Sequence, residues 1–390
     1  MMRAFLLITL LALPVSAQQM TADRAARMSV DAETKGLAEP FVGLTRNGTP
    51  ETGLFPIRAT GVSTAPMMKA AKAFIATLSA EEKKKTLFAA DDPEWRKWMN
   101  QHFYVRQGVS FGSMSDKQRN AANGLLKTAL SAKGLKLSHD IMHLNETLAE
   151  LTNDHEQYGD GRYFVTVMGT PSMKEPWGFQ IDGHHLVINY FVLGDQVVMT
   201  PTFMGSEPNV ALAGKYAGTR VLETEETAAL TFINSLPEAA RAKAIIQVSK
   251  TGNNNLTEAW HDNVVLDYAG LPARELTAGQ QKQLMDVVGL YIGNMDAGHA
   301  KVRMDEVRSK LNDTYFAWIG GTAPDSVFYY RIHSPVILIE FDHQNPVAMP
   351  GVPRGIPQKA HVHTVVRTPN GNDYGKDLLR QHYAESHSSN

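Results

Sequence analysis

The spacing of hydrophobic residues along the chain predicts pairs of helices followed by β-strands. Apolar side chains recur every three or four positions in the helical stretches, whereas β-branched and aromatic residues dominate the strands. The predicted helices cover 66–78, 79–88, 115–132, 138–152, 223–236, 237–244, 278–293, 297–311 and 374–383. The predicted strands cover 162–168, 177–192, 196–200, 315–319, 327–341 and 360–367, with a turn at Gly194-Asp195 between the second and the third. Helices and antiparallel strands in this order predict an α+β fold.

One stretch of the pattern occurs twice, about 150 residues apart. Residues 178–190 and 329–341 share an aromatic residue, an isoleucine, a hydrophobic run and a closing aromatic residue. A capped helix start precedes each of them. The sequence therefore predicts two pseudo-repeated units at about 114–200 and 276–367, each a helical pair followed by antiparallel strands.

The N-terminus has the parts of a cleavable export signal. Residues 1–17 contain a basic start, an apolar core too short to span a bilayer, and small residues before Gln18. We therefore expect a signal peptide and a periplasmic or secreted protein. Residues 18–65 are polar and rich in Gly, Pro and Thr, which predicts an extended lead-in to a main domain at 66–390.

Composition narrows the class of partner. The 38 basic and 40 acidic residues nearly balance, so the chain lacks the basic excess that nucleic-acid binding requires. No later apolar run approaches the roughly 18 residues of a membrane span. The absence of cysteine excludes disulfides and thiolate ligands. We expect a small-molecule ligand or substrate, no nucleic-acid partner and no membrane span.

His361 and His363 are the sharpest candidates for a metal site. On a strand, residues i and i+2 share a face, so two imidazoles can bind one ion. His184 and His185 are adjacent, so only one of them joins the site unless a bulge at Gly183 turns both inward. The competing interpretation is a solvated strand face. Without thiolates, such a site suits a divalent Zn, Cu, Mn or Fe ion.

Two carboxylates, Glu340 and Asp342, share a face of the second hairpin and are candidates for a catalytic base or a further ligand. A buried carboxylate needs a cation or a hydrogen-bond donor. Pairing of Glu340 with Arg331 or Arg367 is therefore the competing interpretation. The candidates for contacts to a substrate are Trp177, Tyr329, Tyr330, Arg331 and Arg367.

Three other motifs indicate chemistry more weakly. Ser110 lies in a G-x-S-x-G sequence, but no helix follows directly, which favours a turn over a nucleophile elbow. His139 and His143 share a helical face without the glutamate of H-E-x-x-H, which favours a solvated or capping role. Met199 and Met204 could ligate copper, although scattered methionine more often fills a core.

Several short motifs, each weak alone, are specific when taken together. They are Trp177-Gly, Gly183-His184-His185, Gly320-Gly-Thr322, Tyr329-Tyr-Arg331, Glu340-Phe-Asp342, His361-Val-His363, Asp373-Tyr-Gly-Lys-Asp377 and His382-Tyr383. With them the chain resembles the DUF3500 family of uncharacterised exported proteins, from about residue 66 to the C-terminus. The resemblance implies the domain boundary and supports the choice of histidines, and it implies no established activity.

These features lead to the expectation of an exported metalloprotein with a histidine-rich site between two repeats. If it is an enzyme, metal-dependent hydrolysis is the simplest reaction, because a metal lowers the pKa of bound water and a carboxylate can take its proton. A copper or iron oxidative enzyme is one alternative. Another is a non-catalytic periplasmic protein that binds a sugar-like or aromatic ligand in a cleft lined by Trp177, Phe179, Tyr329 and Tyr330.

Overall fold

The computed structural model of the protein describes residues 20–388, so the predicted signal peptide lies outside the described residues. The helices are α1 (Ala22–Gly36), α2 (Ala65–Thr77), α3 (Ala80–Thr86), α4 (Asp116–Ala129), α5 (Ala132–Thr152), α6 (Glu223–Ser235), α7 (Glu238–Ala244), α8 (Ala278–Ile292), α9 (Ala297–Ser309) and α10 (Lys376–Ser388). The strands are β1 (Leu87–Phe88), β2 (Val109–Ser110), β3 (Tyr163–Gly169), β4 (Trp177–Gly183), β5 (Leu186–Leu193), β6 (Gln196–Val198), β7 (Thr202–Ser206), β8 (Ile245–Gln247), β9 (Leu271–Pro272), β10 (Tyr315–Gly320), β11 (Phe328–His333), β12 (Leu338–His343) and β13 (Val362–Arg367). The predicted α+β class is confirmed.

All strands between residues 20 and 388 belong to one sheet. Its order is β1-β3-β4-β5-β7-β13-β12-β11-β10-β8. Three short strands lie off this path: β2 pairs with β3, β6 pairs with β5, and β9 pairs with β10. The pairs β1–β3 and β8–β10 are parallel and the others are antiparallel. At the centre β7 pairs with β13, so the crossover at 344–361 returns the chain beside β7, which in turn pairs with β5. The sequence pattern assigned no strand to β7.

The two faces of the sheet differ in polarity, because successive residues of a strand point to opposite faces. On β12, Ile339 points to one face and Glu340 to the other. We call the first the helical face, since helices such as α8 pack on it and Tyr291 hydrogen-bonds Tyr330 there. We call the second the loop face, since segments such as 250–262, without helix or strand, cover it. The predicted histidines and carboxylates lie at the loop face.

The lead-in departs from the expectation of extended chain. Residues Ala22–Gly36 form α1, where Thr21 accepts a hydrogen bond from the N–H of Arg24 and so caps the helix. Within 37–64 the chain forms no helix. A helix forms in this polar stretch because the cap stabilises its start, whereas the prediction of extended chain was based on composition alone. Elsewhere the capping predictions are confirmed, since Ser79 and Glu82 form a complete capping box.

Among residues 20–388, none of the helices combines the length and the apolar character needed to cross a bilayer.

Candidate metal centre

His184 and His185 form the turn of the β4–β5 hairpin, between Gly183 and Leu186. The sequence prediction put them on a strand, facing opposite ways. Instead His185 has φ 62°, a left-handed conformation uncommon outside glycine, and its N–H donates to the Asn100 carbonyl at 3.1 Å. A turn does not follow strand alternation, and the two rings stack with centroids 3.9 Å apart.

Three buried imidazoles converge at the loop face, and we call them the three-histidine cluster: His185, His361 and His363. The Nε2 atom of His361 lies 3.3 Å from Nε2 of His185 and 2.9 Å from Nε2 of His363. His184 lies outside the cluster, since its Nδ1 is 2.7 Å from Oδ1 of Asn145. The structure therefore brings together three of the four predicted histidines.

Gly205 makes the meeting of these rings possible. It pairs with His363 across β7 and β13, and its N–H donates to the His185 carbonyl at 2.8 Å. A Cβ atom at Gly205 would lie 2.6 Å from the Val362 carbonyl oxygen and 3.2 Å from Cδ2 of His363. A side chain there would press on the His363 ring. Glycine therefore leaves the space in which the imidazole of the β4–β5 turn meets the imidazole of β13.

The outer ring nitrogens fix the tautomers of two histidines. Nδ1 of His361 lies 2.8 Å from the Asn345 carbonyl oxygen, which can only accept, so Nδ1 carries the proton. Nδ1 of His363 lies 2.7 Å from Oε1 of Glu258 and likewise donates. In the neutral rings, both Nε2 atoms therefore present lone pairs to each other at 2.9 Å. Such a pair of lone pairs repels unless a cation lies between them.

Burial keeps two imidazoles of the cluster, His185 and His361, in the neutral form at neutral pH. Burial lowers the pKa of His185 and of His361 well below 6.5, and the charge that neighbouring imidazoles would carry lowers it further. The same causes lower the pKa of His184. Neutral imidazole is the form that binds a metal ion.

Glu258 is the carboxylate closest to the cluster. Its Oε1 accepts from Nδ1 of His363 and from Nδ2 of Asn255 at 2.8 Å, and its Oε2 accepts from Asn100 at 3.4 Å. Burial opposes ionisation of Glu258, but His363 and the two amides outweigh it and lower the pKa. An ionised carboxylate behind a ligating histidine is a common arrangement in metal sites, where it fixes the ring and raises its basicity.

A second carboxylate, Glu207, anchors the crossover that covers the cluster. Its Oε1 accepts three backbone N–H bonds, from residues 347–349, at 2.8, 3.0 and 3.0 Å. Its Oε2 lies 3.7 Å from Nδ1 of His361. The crossover thus reaches the cluster at two points, through Glu207 and through the Asn345 carbonyl.

Glu340, predicted as a catalytic base, is fully buried and bonded to the segment above it. Its oxygens accept from the backbone N–H groups of Leu256 and Thr257 and from the hydroxyls of Thr257 and Tyr329, at 2.9, 3.0, 2.5 and 2.7 Å. Burial raises its pKa although these bonds and nearby Arg331 oppose the shift. Among the described residues none of its hydrogen bonds goes to a histidine, so the structure gives Glu340 the contacts of an anchor.

Asp342 anchors the same segment. Its Oδ1 pairs with the buried Nζ of Lys250 at 2.6 Å, and its Oδ2 accepts from the N–H groups of Asn254 and Asn255 and from Gln344. Burial raises its pKa to about 6 despite Lys250. Together with Glu340 it fixes the stretch that carries Glu258.

The two arginines predicted to contact substrate differ in their bonding. Arg367 is buried in a network, donating to Asp373 and Asp262 at 2.7 Å each and to the Thr257 carbonyl at 3.1 Å. These bonds join β13 to the loop segments. Arg331 lies opposite Glu340 in the β11–β12 ladder and is buried, and its Nε has no hydrogen-bond partner among the described residues.

The predicted aromatic contacts do not line one cleft. Trp177, Phe179 and Tyr330 point to the helical face, whereas Tyr329 points to the loop face, and all four are buried. The Trp177 indole N–H donates to the Ser172 carbonyl at 2.9 Å. Packing and internal hydrogen bonds therefore occupy these side chains.

Aromatic rings that the sequence analysis did not select adjoin the cluster through His184. The rings of His102 and Tyr158 each lie 5.5 Å from the His184 ring, and 4.8 Å from each other. Burial, then nearby Arg106, lowers the pKa of His102 to about 4, and burial above all raises the pKa of Tyr158 to about 12. Both rings are uncharged at neutral pH.

The weaker motifs lie apart from the cluster. His139 Nε2 is 3.0 Å from Oδ1 of Asn123, while the His143 ring stacks on Tyr216 at 3.9 Å, so these histidines have separate partners. Ser110 ends β2 and bonds the Ser113 hydroxyl in the turn that follows. As the sequence indicated, no helix follows Ser110 directly, whereas His139 and His143 are half-buried instead of solvated or capping.

Sequence reasoning missed Glu258, Glu207, Asn345 and Gly205. Glu258 and Asn345 lie in segments without periodicity, so no pattern could have selected them. Gly205 and Glu207 had a signal, since the short stretch from Pro201 to Pro208 has strand composition at its centre and is closed by proline at both ends.

Comparison with known proteins places the chain in a family without supplying an activity. No curated protein and no solved structure is significantly similar to it. A family model described as "Protein of unknown function (DUF3500)" matches residues 60–376, which is most of the chain. The chain therefore belongs to the DUF3500 family.

Proposed function

We propose that this protein is a metalloprotein that binds one divalent ion through the Nε2 atoms of His185, His361 and His363. The observation that carries the proposal is the pair of opposed lone pairs on His361 and His363, 2.9 Å apart. A protein interior avoids such a contact unless a cation joins the two atoms. The protonated Nδ1 atoms behind them match the arrangement of ligating histidines in known metal sites.

The spacing of the nitrogens suits zinc best. Zinc–nitrogen bonds of about 2.0–2.1 Å at the tetrahedral angle put two ligand nitrogens roughly 3.3–3.4 Å apart. The separations of 3.3 and 2.9 Å lie at or slightly below this value, so a small expansion around His363 accommodates the ion. Copper(II) is the next candidate, because imidazole suits it equally well and the Irving–Williams order favours it.

Three protein ligands leave a fourth position, which is the mark of a catalytic rather than a structural zinc site. We infer metal-assisted hydrolysis of a small polar molecule as the reaction class, since the bound ion would lower the pKa of water at that position. Glu258 would keep the His363 ring in its ligating orientation. The buried side-chain amide oxygens of Asn255 and Asn345 have no hydrogen-bond partner within residues 20–388 and can accept hydrogen bonds from a substrate.

The metal content of the purified protein tests the proposal. We expect one zinc or copper ion per chain in untagged protein, measured by elemental analysis after dialysis, and loss of it in the double variant His361→Ala/His363→Ala. The matched control is His139→Ala, because that half-buried ring also bonds an amide but lies outside the cluster. Full metal content in the double variant, with both variants folded by circular dichroism, would refute the proposal.

We also propose that residues 1–17 direct export to the periplasm or the medium, on the strength of their sequence. N-terminal sequencing of exported protein should then begin at Gln18.

We further propose that the segments 114–200 and 276–367 are repeats. The strand order, which runs through β3, β4 and β5 on one side of the central pair and through β10, β11 and β12 on the other, supports this. Superposition of the two segments, strand by strand, tests it.

A further inference from the structure

A cavity of about 350 Å³ lies on the helical face, away from the three-histidine cluster. Strand alternation separates the two, because His363 points to the loop face while Thr364, its neighbour on β13, lines the cavity. Helices α8 and α9 and the segment 54–60 form the other walls. Protein interiors are close-packed, with few voids larger than one water molecule, so a space of this size calls for an explanation.

The walls are mostly apolar and adaptable. The apolar lining includes Met199, Met204, Met295, Ile292, Val302 and Val366. Methionine side chains adjust to irregular shapes and make soft contacts, and pockets of about 300–1,000 Å³ with a few fixed polar groups are typical small-molecule sites. The methionines that the sequence suggested as copper ligands, Met199 and Met204, thus line this cavity.

One polar group in the lining has no protein partner. Oδ1 of Asn294 is buried without a hydrogen-bond partner among the described residues, while its Nδ2 contacts Sδ of Met204 at 3.6 Å. The hydroxyls of Thr202 and Thr364 already donate to backbone carbonyls at 2.7 and 2.6 Å. A buried acceptor left unpaired is costly, and a donor on a ligand would remove that cost.

The mouth of the cavity is polar and exposed. Arg58, Asp305 and Ser309 line it and are solvent-exposed, which gives a small molecule a way in. The segment 54–60 beside the mouth is held by two hydrogen bonds. The Arg58 N–H donates to Oε1 of Gln196 at 2.7 Å, and Gln381 donates to the Phe55 carbonyl at 2.8 Å. The opening is therefore part of the folded structure.

We propose that this cavity binds a small, largely apolar molecule with one hydroxyl group, whose O–H donates to Oδ1 of Asn294. The methionines and aliphatic side chains contact the apolar part, and the unpaired acceptor on Asn294 selects an alcohol or phenol over the corresponding hydrocarbon. The site is separate from the metal centre and does not depend on it.

Calorimetric titration with two matched probes tests the proposal. We expect 4-propylphenol to bind with one-to-one stoichiometry and at least about fivefold more tightly than propylbenzene, because only the phenol can satisfy Asn294. Asn294→Leu should remove that preference and leave the two probes with similar affinities. Saturable binding of neither probe, or an unchanged preference in Asn294→Leu, would overturn the proposal.

Two blocking variants locate the site. Val302→Trp fills the cavity from α9, and Ser309→Trp obstructs the exposed mouth without altering the core, so it stays informative if the first fails to fold. Each should weaken binding of 4-propylphenol at least tenfold while the metal content stays at the parent value. Parent-like binding in a folded Ser309→Trp variant and in Val302→Trp would place the probe elsewhere and refute the assignment.

Discussion

Glu258 offers the sharpest test of the proposed metal centre. In the structure its Oε1 accepts the Nδ1 proton of His363 at 2.7 Å, and the amides of Asn255 and Asn100 keep the carboxylate in place. Replacing it by glutamine keeps the shape but removes the charge and leaves a weaker acceptor. His363 should then turn more freely and become a poorer ligand.

The expected loss of metal affinity in Glu258→Gln follows from the distance between the carboxylate and the ion. With the 2.7 Å hydrogen bond and the ring between them, the carboxylate lies roughly 7 Å from a divalent ion on Nε2 of His363, so the Coulomb attraction of its charge is on the order of 5 kcal/mol. The oxygen of the glutamine amide retains part of this attraction as a dipole, so the net loss is smaller. Substitution of such partners typically lowers metal affinity about 10–100-fold. We expect Glu258→Gln to weaken zinc binding within that range without lowering the stoichiometry at saturating metal.

The assay is competition with a chromophoric chelator at fixed pH, followed by thermal unfolding of the metal-free variants. Glu175→Gln is the matched control, because its carboxylate also faces a histidine, His382, at 3.4 Å, but on the surface. Parent affinity in Glu258→Gln would contradict the orienting role. A large loss of stability in the metal-free variant would mean that the carboxylate serves the fold instead.

Two further predictions concern the space that Gly205 leaves beside His363 and the protonation of Glu94. Gly205→Ala should reduce zinc affinity at least tenfold, because its Cβ would press on the His363 ring; elemental analysis and chelator competition check this. Burial raises the pKa of Glu94 from 4.5 to about 7. The folded state therefore holds this proton more tightly, and its contribution, on the order of 3 kcal/mol, is complete below pH 4.5 and lost as pH rises through 7. Urea unfolding at several pH values should show this loss in the parent and not in Glu94→Gln.

The parts of the site that the sequence could predict are those governed by strand alternation. The H-x-H spacing of His361 and His363 requires a shared face on any strand, and the structure has it. His185 lies in a turn, where a left-handed backbone and not alternation sets the direction of the ring. The turn at Gly194 and Asp195, between β5 and β6, could be predicted from its residues, but the turn at His184 and His185, inside a stretch with the pattern of one strand, could not.

The fold was likewise predictable where local interactions define an element and not predictable where long-range contacts do. Helices with capped ends, such as those beginning after Ser79 and Ser115, were predictable because local hydrogen bonds define them. Thr21 and α1 were missed because a polar composition hid the cap. Glu258 lies in a segment whose shape comes from long-range bonds to Glu340 and Asp342, and no local pattern encodes such bonds.

The loop face explains why the protein tolerates buried carboxylates beside the three-histidine cluster. Glu340 and Asp342 would destabilise the sheet if unpaired, but backbone N–H groups of 254–257 satisfy them. These bonds tie that segment to β12, which pairs with β13, so Glu258 and His363 are held by one rigid frame. The orientation of the ring is therefore set by the fold before an ion binds. The proposed centre would therefore differ from small zinc modules that fold only around their metal, since a bound ion would not be needed to fix the fold.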